Sequence, residues 1–158
     1  MKRHLLITVA AAAIGAGAML ALSSVSVAQA PPMGGGYTNV IPIPVNDPSV
    51  KAIAGALFKP AGAGPFPAVV YLSGCAGLGA PPEVPQEKVL IDHLLSKGVA
   101  TMIVDPFTPR GEMEGLCSKV DDKTFVPYAS RGGNDALAAV AVLKGMPEID
   151  PNRVFLQG

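Results

Sequence analysis

An unbroken hydrophobic run at residues 68–72, with the sequence AVVYL, is flanked on both sides by turn-forming residues. Such a run is typical of a strand that is buried on both faces of a sheet. Glycines at 74, 77 and 79 follow it and allow the backbone to take positive φ angles and to present its N–H groups to a ligand. The pattern therefore predicts a central strand that leads into a ligand-binding glycine loop.

Hydrophobic periodicity elsewhere predicts four more strands and two helices. Residues 40–45 alternate isoleucine with proline, which a strand tolerates only at a sheet edge, and a turn at 46–49 allows 50–58 to return as the second strand of a hairpin. Apolar runs predict the remaining strands, and apolar residues at helical spacing, followed by glycine, predict the helices. These elements are strands at 99–104 and 153–157 and helices at 86–97 and 131–144.

The order strand, helix, strand over residues 68–104 predicts a βαβ unit with parallel strands and a right-handed crossover. Asp105 then stands at the carboxyl end of a strand, the edge at which open α/β sheets place their sites. Residues 107–130 have no clear periodicity, and so long a stretch in a compact domain is either functional or evidence that an element has been misread.

The first helix has an apolar stripe that contains the single histidine outside the leader. The stripe runs through Val89, Leu90, His93, Leu94 and Lys97, and it is widened by Ile91 and Leu95. We interpret His93 as an ordinary helix residue and not as a catalytic one.

Residues 1–30 have the pattern of a secretory signal peptide: a basic start, an apolar stretch and a tail of small residues. Cleavage after Ala28 and cleavage after Ala30 both fit. We expect a flexible lead-in at 31–39 and one domain at 40–158, in an exported protein, periplasmic or secreted, with no membrane contact once the leader is removed. Removing Lys2 and Arg3 leaves ten basic and twelve acidic residues, a net charge of −2 with no charge run, so nothing suggests a nucleic-acid partner.

The chain has two cysteines, Cys75 and Cys117. An even number of cysteines in an exported chain indicates a disulfide, which here would stabilise the fold by about 4 kcal/mol in the chain-entropy model. A metal site is the weaker alternative, because only His93 is left to join them.

Four charged residues are candidates for structural ion pairs. Asp105 and Arg110 are expected to pair with each other or with Arg131, and Arg131 and Asp135 stand at an i,i+4 spacing that allows a helix pair. Ser73, between the central strand and Gly74, is a candidate either for substrate contact or for capping the loop.

Four segments in this order resemble the dienelactone hydrolase family of α/β-hydrolases, particularly its exported members. They are PFPAVVYLSGCAGL, VDPFTPRG followed by a cysteine, the Arg131 and Asp135 pair at the start of a helix, and IDPNRVFLQG at 149–158. The resemblance covers about 40–158.

This resemblance implies an α/β fold: the N-terminal half of an α/β-hydrolase, with an edge hairpin followed by parallel strands and crossover helices, and truncated at the nucleophile elbow. Gly158 resembles the first glycine of the elbow, so the serine or cysteine nucleophile, the acid and the histidine would lie beyond it. By the same resemblance the backbone N–H of Cys75 or Ala76 supplies half of the oxyanion hole, and Ser73 and Gly74 adjoin it.

The resemblance also implies an activity. The substrate would be a small ester or lactone, cleaved through a covalent acyl-enzyme with no metal or organic cofactor. The 158 residues alone would be inactive. The alternative is a secreted protein that does not hydrolyse substrates, either a binding module or a redox protein that uses the Cys75 and Cys117 pair.

Overall fold

The computed structural model describes residues 29–78, 85–113 and 115–158 of the 158-residue chain. The predicted signal peptide, apart from residues 29 and 30, lies outside the described residues, as does Gly79 of the glycine loop. No helix in the described ranges is long and apolar enough to cross a membrane.

The described residues form five strands, two α-helices and one short 3-10 helix at Thr108–Arg110. Their bounds are β1 Val40–Pro44, β2 Ala52–Phe58, β3 Phe66–Leu72, α1 Pro85–Ser96, β4 Ala100–Asp105, α2 Phe125–Lys144 and β5 Ile149–Gln157. The strands make one mixed sheet in the order β1-β2-β4-β3-β5. β2 is antiparallel to β1 and β4, whereas β3 is parallel to β4 and β5.

Strand β1 lies at one edge of the sheet, as its prolines predict, and it pairs with β2 as the expected hairpin. The prediction that residues 68–72 are buried on both faces is only partly correct. In β3, Ala68 and Val70 are fully buried while Val69 and Tyr71 are partly exposed, and β4 is the strand whose six residues are all buried. The difference arises because β4 lies in the middle of the five strands and β3 lies one place from the edge.

The two helices cover opposite faces of the sheet. Met102 and Val104 of β4 belong to a core cluster with Ala139 and Leu143 of α2, whereas Ile103 belongs to a second cluster with Ile91 of α1. Because successive strand residues point to opposite faces, α1 and α2 lie on opposite sides of the sheet. This three-layer arrangement confirms the predicted α/β class.

Helix α1 buries a different stripe from the predicted one. Ile91 is buried and Leu95 packs against the same cluster, but Val89 is 68% exposed and His93 is also exposed. Ile91 and Leu95, at positions i and i+4, pack with Leu78 and Ile103 and define the buried face of α1. The position of His93 on the outer side of α1 fits its interpretation as an ordinary helix residue.

Helix α2 begins at Phe125, six residues before the predicted start at Arg131. The first two turns contain Phe125, Val126 and Tyr128, and Phe125 and Val126 are more than 60% exposed. Because this part of the helix does not pack on the sheet, it lacks the apolar periodicity that would have predicted it.

Residues 31–39, which composition predicts to be a flexible lead-in, make several contacts with the domain. The Gly34 N–H donates a hydrogen bond of 2.6 Å to Oδ2 of the buried Asp105, and Met33 and Tyr37 pack against the α1 side of the core. The ring of Tyr37 also meets that of Phe58 edge to face. Composition alone overlooked the apolar side chains that fix this glycine-rich segment.

Gly55 provides a test of core packing. A Cβ at Gly55 would lie 2.7 Å from Cδ1 of Ile43, which is fully buried, so Gly55→Ala should lower the free energy of unfolding by about 1–3 kcal/mol through overpacking. Ile43→Val removes that Cδ1 atom and with it the collision. The loss of unfolding free energy in the double variant should therefore be smaller than the sum of the two single losses by at least about 0.5 kcal/mol. Urea unfolding of all four proteins measures the coupling, and strict additivity would contradict the packing argument.

Candidate active site

The loop after β3, residues 73–78, lies at the carboxyl edge of the three parallel strands. Its turn is closed by a 2.9 Å hydrogen bond from the Gly77 N–H to the Gly74 carbonyl. Gly77 has φ +73°, and a Cβ there would lie 3.2 Å from the ring of Phe107. Glycine therefore satisfies both the backbone conformation and the close approach of the next loop.

Three contacts fix this loop to the segment around residue 115. Cys75 and Cys117 form the expected disulfide, across a separation of 42 residues. The Leu116 N–H donates a 2.6 Å hydrogen bond to the Cys75 carbonyl. Gly115 has φ +68°, and a Cβ on it would lie 2.2 Å from that same carbonyl oxygen. We call these three contacts the loop clamp.

The clamp leaves two backbone donors, the N–H groups of Cys75 and Ala76, without an acceptor in the part of the chain that the structure describes. Both residues are solvent-exposed. By the resemblance, one of these two N–H groups supplies half of the oxyanion hole. Their placement in a fixed loop at the carboxyl edge of the sheet is compatible with that assignment.

Ser73 lies at the base of the loop, and its hydroxyl oxygen is buried with no hydrogen-bond partner among the described residues. No described backbone N–H donates to it, so the structure gives no sign of the capping role. Ser73 belongs to the wall of a cleft, but its hydroxyl oxygen has almost no accessible surface there. Gly74 uses its carbonyl oxygen to close the turn with Gly77.

The cleft has a volume of about 400 Å³ and lies between the glycine loop, the loop after β4 and the first half of α2. Its wall is mostly apolar, and the principal side chains are Leu72, Phe107, Leu116, Val120, Phe125 and Tyr128. The exposed aromatic residues at the start of α2 are therefore part of the cleft wall.

Arg110 is the centre of a buried ion-pair network below the cleft. Its side chain is 2% exposed and binds Asp135 through two nitrogens at 2.8 and 2.9 Å. It also donates to Asp47 at 2.8–2.9 Å and to the Pro106 carbonyl at 2.6 Å. Burial alone would lower the pKa of Arg110, but the hydrogen bonds and charges of Asp135 and Asp47 outweigh it and raise that pKa.

The predicted pairing of Asp105 with Arg110 or Arg131 is wrong. Asp105 is 1% exposed and accepts hydrogen bonds from three backbone N–H groups, those of Gly34, Phe107 and Thr108. The carboxylate thus ties the N-terminal segment to the loop after β4. Backbone donors satisfy it where an arginine was expected.

The suggested helix pair between Arg131 and Asp135 is also absent. Asp135 is engaged by Arg110, and Arg131 instead forms a two-point contact with Glu112, at 3.1 and 2.6 Å. The Arg131 guanidinium also lies 5.1 Å from the centre of the Tyr128 ring. Sequence reasoning missed Asp47 and Glu112, because neither stands at a helical or strand spacing from its partner.

The residues that the structure describes contain no group of three or more His, Cys, Asp or Glu side chains that could hold a metal ion.

The buried ion pairs of Arg110 should contribute more to the free energy of unfolding than an exposed ion pair does. Arg110→Met leaves Asp135 buried and unpaired, so the free energy of unfolding should fall by about 3–5 kcal/mol. Lys88→Met is the control, because Lys88 and Asp92 are 72% and 61% exposed, and its effect should stay within about 0.5 kcal/mol. Chemical denaturation measures both, and equal losses would contradict the assigned role of Arg110.

Asp47 should make stability depend on pH. Hydrogen bonds from the Ser49 hydroxyl and N–H, and then the contact with Arg110, hold the pKa of Asp47 well below its usual range. A carboxylate with a lowered pKa stabilises the fold above its unfolded pKa of about 4, and this contribution is lost as the pH falls below that value. Asp47→Asn should therefore destabilise at pH 7 more than at pH 3. Urea unfolding at both values checks this, and a loss that grows on acidification would contradict it.

No protein-family model matches the sequence, and no curated protein matches it. Among solved structures, the chain is similar to DcsB, determined in complex with its substrate analogue, with 20% identity and a TM-score of 0.50 over 74% of this chain and 35% of DcsB. Two carboxylesterase structures are also similar at 20% identity. EstE1, cloned from a metagenomic library, has a TM-score of 0.47 over 80% of this chain and 37% of its own. Carboxyl esterase 2 of the mycorrhizal fungus Tuber melanosporum has a TM-score of 0.48 over 78% of this chain and 37% of its own.

The chain therefore spans a little over a third of the length of these structures. None of these similarities singles out dienelactone hydrolases. The mixed five-stranded sheet with helices on both faces, together with the similarity to solved structures, shows the fold: the chain has a partial α/β-hydrolase fold.

Proposed function

We propose that the protein containing this chain is an ester or lactone hydrolase that works through a covalent acyl-enzyme. The observation that carries the proposal is the pair of N–H groups at Cys75 and Ala76, which have no acceptor among the described residues and belong to a loop held by the loop clamp at the carboxyl edge of the parallel strands. Its assignment to ester and lactone chemistry rests on the resemblance to dienelactone hydrolases. In the proposed mechanism no cofactor takes part.

Fixed donors are what acyl transfer requires. The carbonyl oxygen of an ester gains negative charge as the tetrahedral intermediate forms, and donors already in position stabilise that charge without reorganising. Removing one such donor costs about 3–4 kcal/mol of transition-state stabilisation in a well-studied protease. The Leu116 hydrogen bond and the close approach of Gly115 both act on the Cys75 carbonyl. This carbonyl lies in the same peptide plane as the Ala76 N–H, so the clamp fixes the orientation of that donor.

The position of β5 supports the same proposal. A Cβ on Gly158 would lie 3.6 Å from the carbonyl oxygen of Leu72, so the end of β5 lies beside the start of the glycine loop. By the resemblance stated above, the nucleophile is the second residue after Gly158. A nucleophile at that place in the chain would be close to the donors of Cys75 and Ala76.

The reaction balances as two acyl transfers. The nucleophile attacks the ester carbonyl carbon while its proton passes to the triad histidine, and the alcohol leaves with that proton. Water then attacks the acyl-enzyme, gives one proton to the histidine and releases the acid, and the proton returns to the nucleophile. Within this scheme, the residues of this chain hold the oxyanion in both steps.

We also propose that the protein is exported. The disulfide between Cys75 and Cys117 fits an oxidising compartment, and the basic and apolar leader of residues 1–30 is of the secretory type. Export would preserve the clamp, since a reducing cytosol would open its covalent part.

Gly115→Ala tests the oxyanion assignment. The new methyl group would collide with the Cys75 carbonyl and displace the donor, so in the protein that carries the nucleophile kcat for p-nitrophenyl butyrate should fall at least about tenfold, with a smaller change in KM. Gly111→Ala is the matched control. Gly111 also has φ +73°, but a Cβ there has no neighbour within 4 Å, so the variant should keep its activity.

Two results would contradict the proposal. One is equal activity of the two glycine variants at equal stability. The other is hydrolysis of the same ester above background by the 158 residues alone, because the triad residues implied by the resemblance lie outside them.

A further inference from the structure

The chemistry of the cleft is more restricted than the proposed function requires. An ester hydrolase site can be polar or apolar and can select charged or neutral substrates. Here the wall next to the N–H groups of the glycine loop is formed largely by aliphatic and aromatic side chains, including Leu72, Leu116 and Phe125. A cleft of about 400 Å³ with such a wall is in the size range of small-molecule sites.

The charged residues of the cleft are already neutralised. Arg131 lines the cleft, but both terminal nitrogens of its guanidinium bind the carboxylate of Glu112. Asp135 also lines it, but it is 1% exposed and paired with Arg110. A carboxylate ligand would have to displace Glu112 from Arg131, and without that exchange it would enter an apolar site unpaired, at a large desolvation cost.

The backbone of the glycine loop offers the polar contact. Cys75 lines the cleft, and the N–H groups of Cys75 and Ala76 have no acceptor among the described residues. An uncharged ester offers a carbonyl oxygen for such a donor and an aliphatic chain for the wall. Both parts of the ligand are therefore matched by the site.

We propose that this cleft binds the aliphatic chain of an uncharged ester and discriminates against carboxylate-bearing substrates. The inference rests on the proposed function only for the identification of the ligand as a substrate, because the binding itself needs no nucleophile. It narrows the substrate class from esters and lactones in general to neutral ones with an alkyl or acyl chain.

Two adjacent glycines in α2 provide the test. Gly132 lines the cleft, Gly133 does not, and a Cβ on either has no neighbour within 4 Å. Gly132→Leu therefore adds a side chain at the cleft wall, with its Cβ in open space, and Gly133→Leu adds the same side chain at a residue that does not line the cleft. Leucine favours the helix at both places, so the two variants should fold.

The measurement is calorimetric binding of methyl butanoate, methyl pentanoate and methyl hexanoate, with hexanoate as the charged comparison. Each added methylene should tighten Kd about three- to fourfold, and methyl hexanoate should bind at least about tenfold more tightly than hexanoate. Gly132→Leu should weaken binding of methyl hexanoate at least about tenfold, whereas Gly133→Leu should change it less than about twofold.

The proposal is overturned if Kd is independent of chain length, if hexanoate binds as well as its ester, or if the two leucine variants behave alike. Absence of all binding would overturn it as well. Failure of the proposed function gives a different result: the protein that carries the nucleophile hydrolyses no ester, while chain-length-dependent binding and its loss in Gly132→Leu persist.

Discussion

A buried carboxylate requires either a cation or several hydrogen-bond donors, and Asp135 in α2 imposes that requirement on the carboxyl edge of this fold. Arg110 meets it from the loop after β4, and the same guanidinium reaches Asp47 in the turn between β1 and β2. Three segments that are distant in sequence are thus brought to one charged group. The cost of leaving any of these carboxylates unpaired in the interior is what makes the arrangement specific.

The site depends on this network indirectly. Asp105 fixes the backbone of Phe107 and Thr108, and Arg110 fixes the end of the same loop against α2. Phe107 is then in place against Gly77, and the segment that follows supplies Gly115, Leu116 and Cys117 to the loop clamp. The donors of Cys75 and Ala76 are therefore positioned by contacts that lead back to buried carboxylates. Rigidity of this kind is what electrostatic stabilisation of an oxyanion requires.

The hydrophobic pattern along the chain was sufficient to predict the elements that pack on the sheet, but it did not predict the other segments. The prolines of β1 predicted its edge position, and the count of cysteines predicted the disulfide. The start of α2 was missed because Phe125 and Tyr128 face a cleft. The contacts of residues 31–39 were missed because a proline- and glycine-rich composition does not indicate a hydrogen bond to Asp105 or the packing of Met33 and Tyr37. The partners of Arg110 and Arg131 could not be predicted, because ion pairs between separate loops follow from the three-dimensional path of the chain and not from spacing along it.

The disulfide between Cys75 and Cys117 also encloses α1 and β4 in one covalent ring. A peptide bond cut anywhere between these two cysteines would open the ring but leave both fragments joined through sulfur. Since β4 lies between β2 and β3 in the sheet, the two fragments would also stay in register through their strand pairing. A single cut between the two cysteines would therefore leave the two fragments together. They would separate only after the disulfide is reduced and the sheet unfolds.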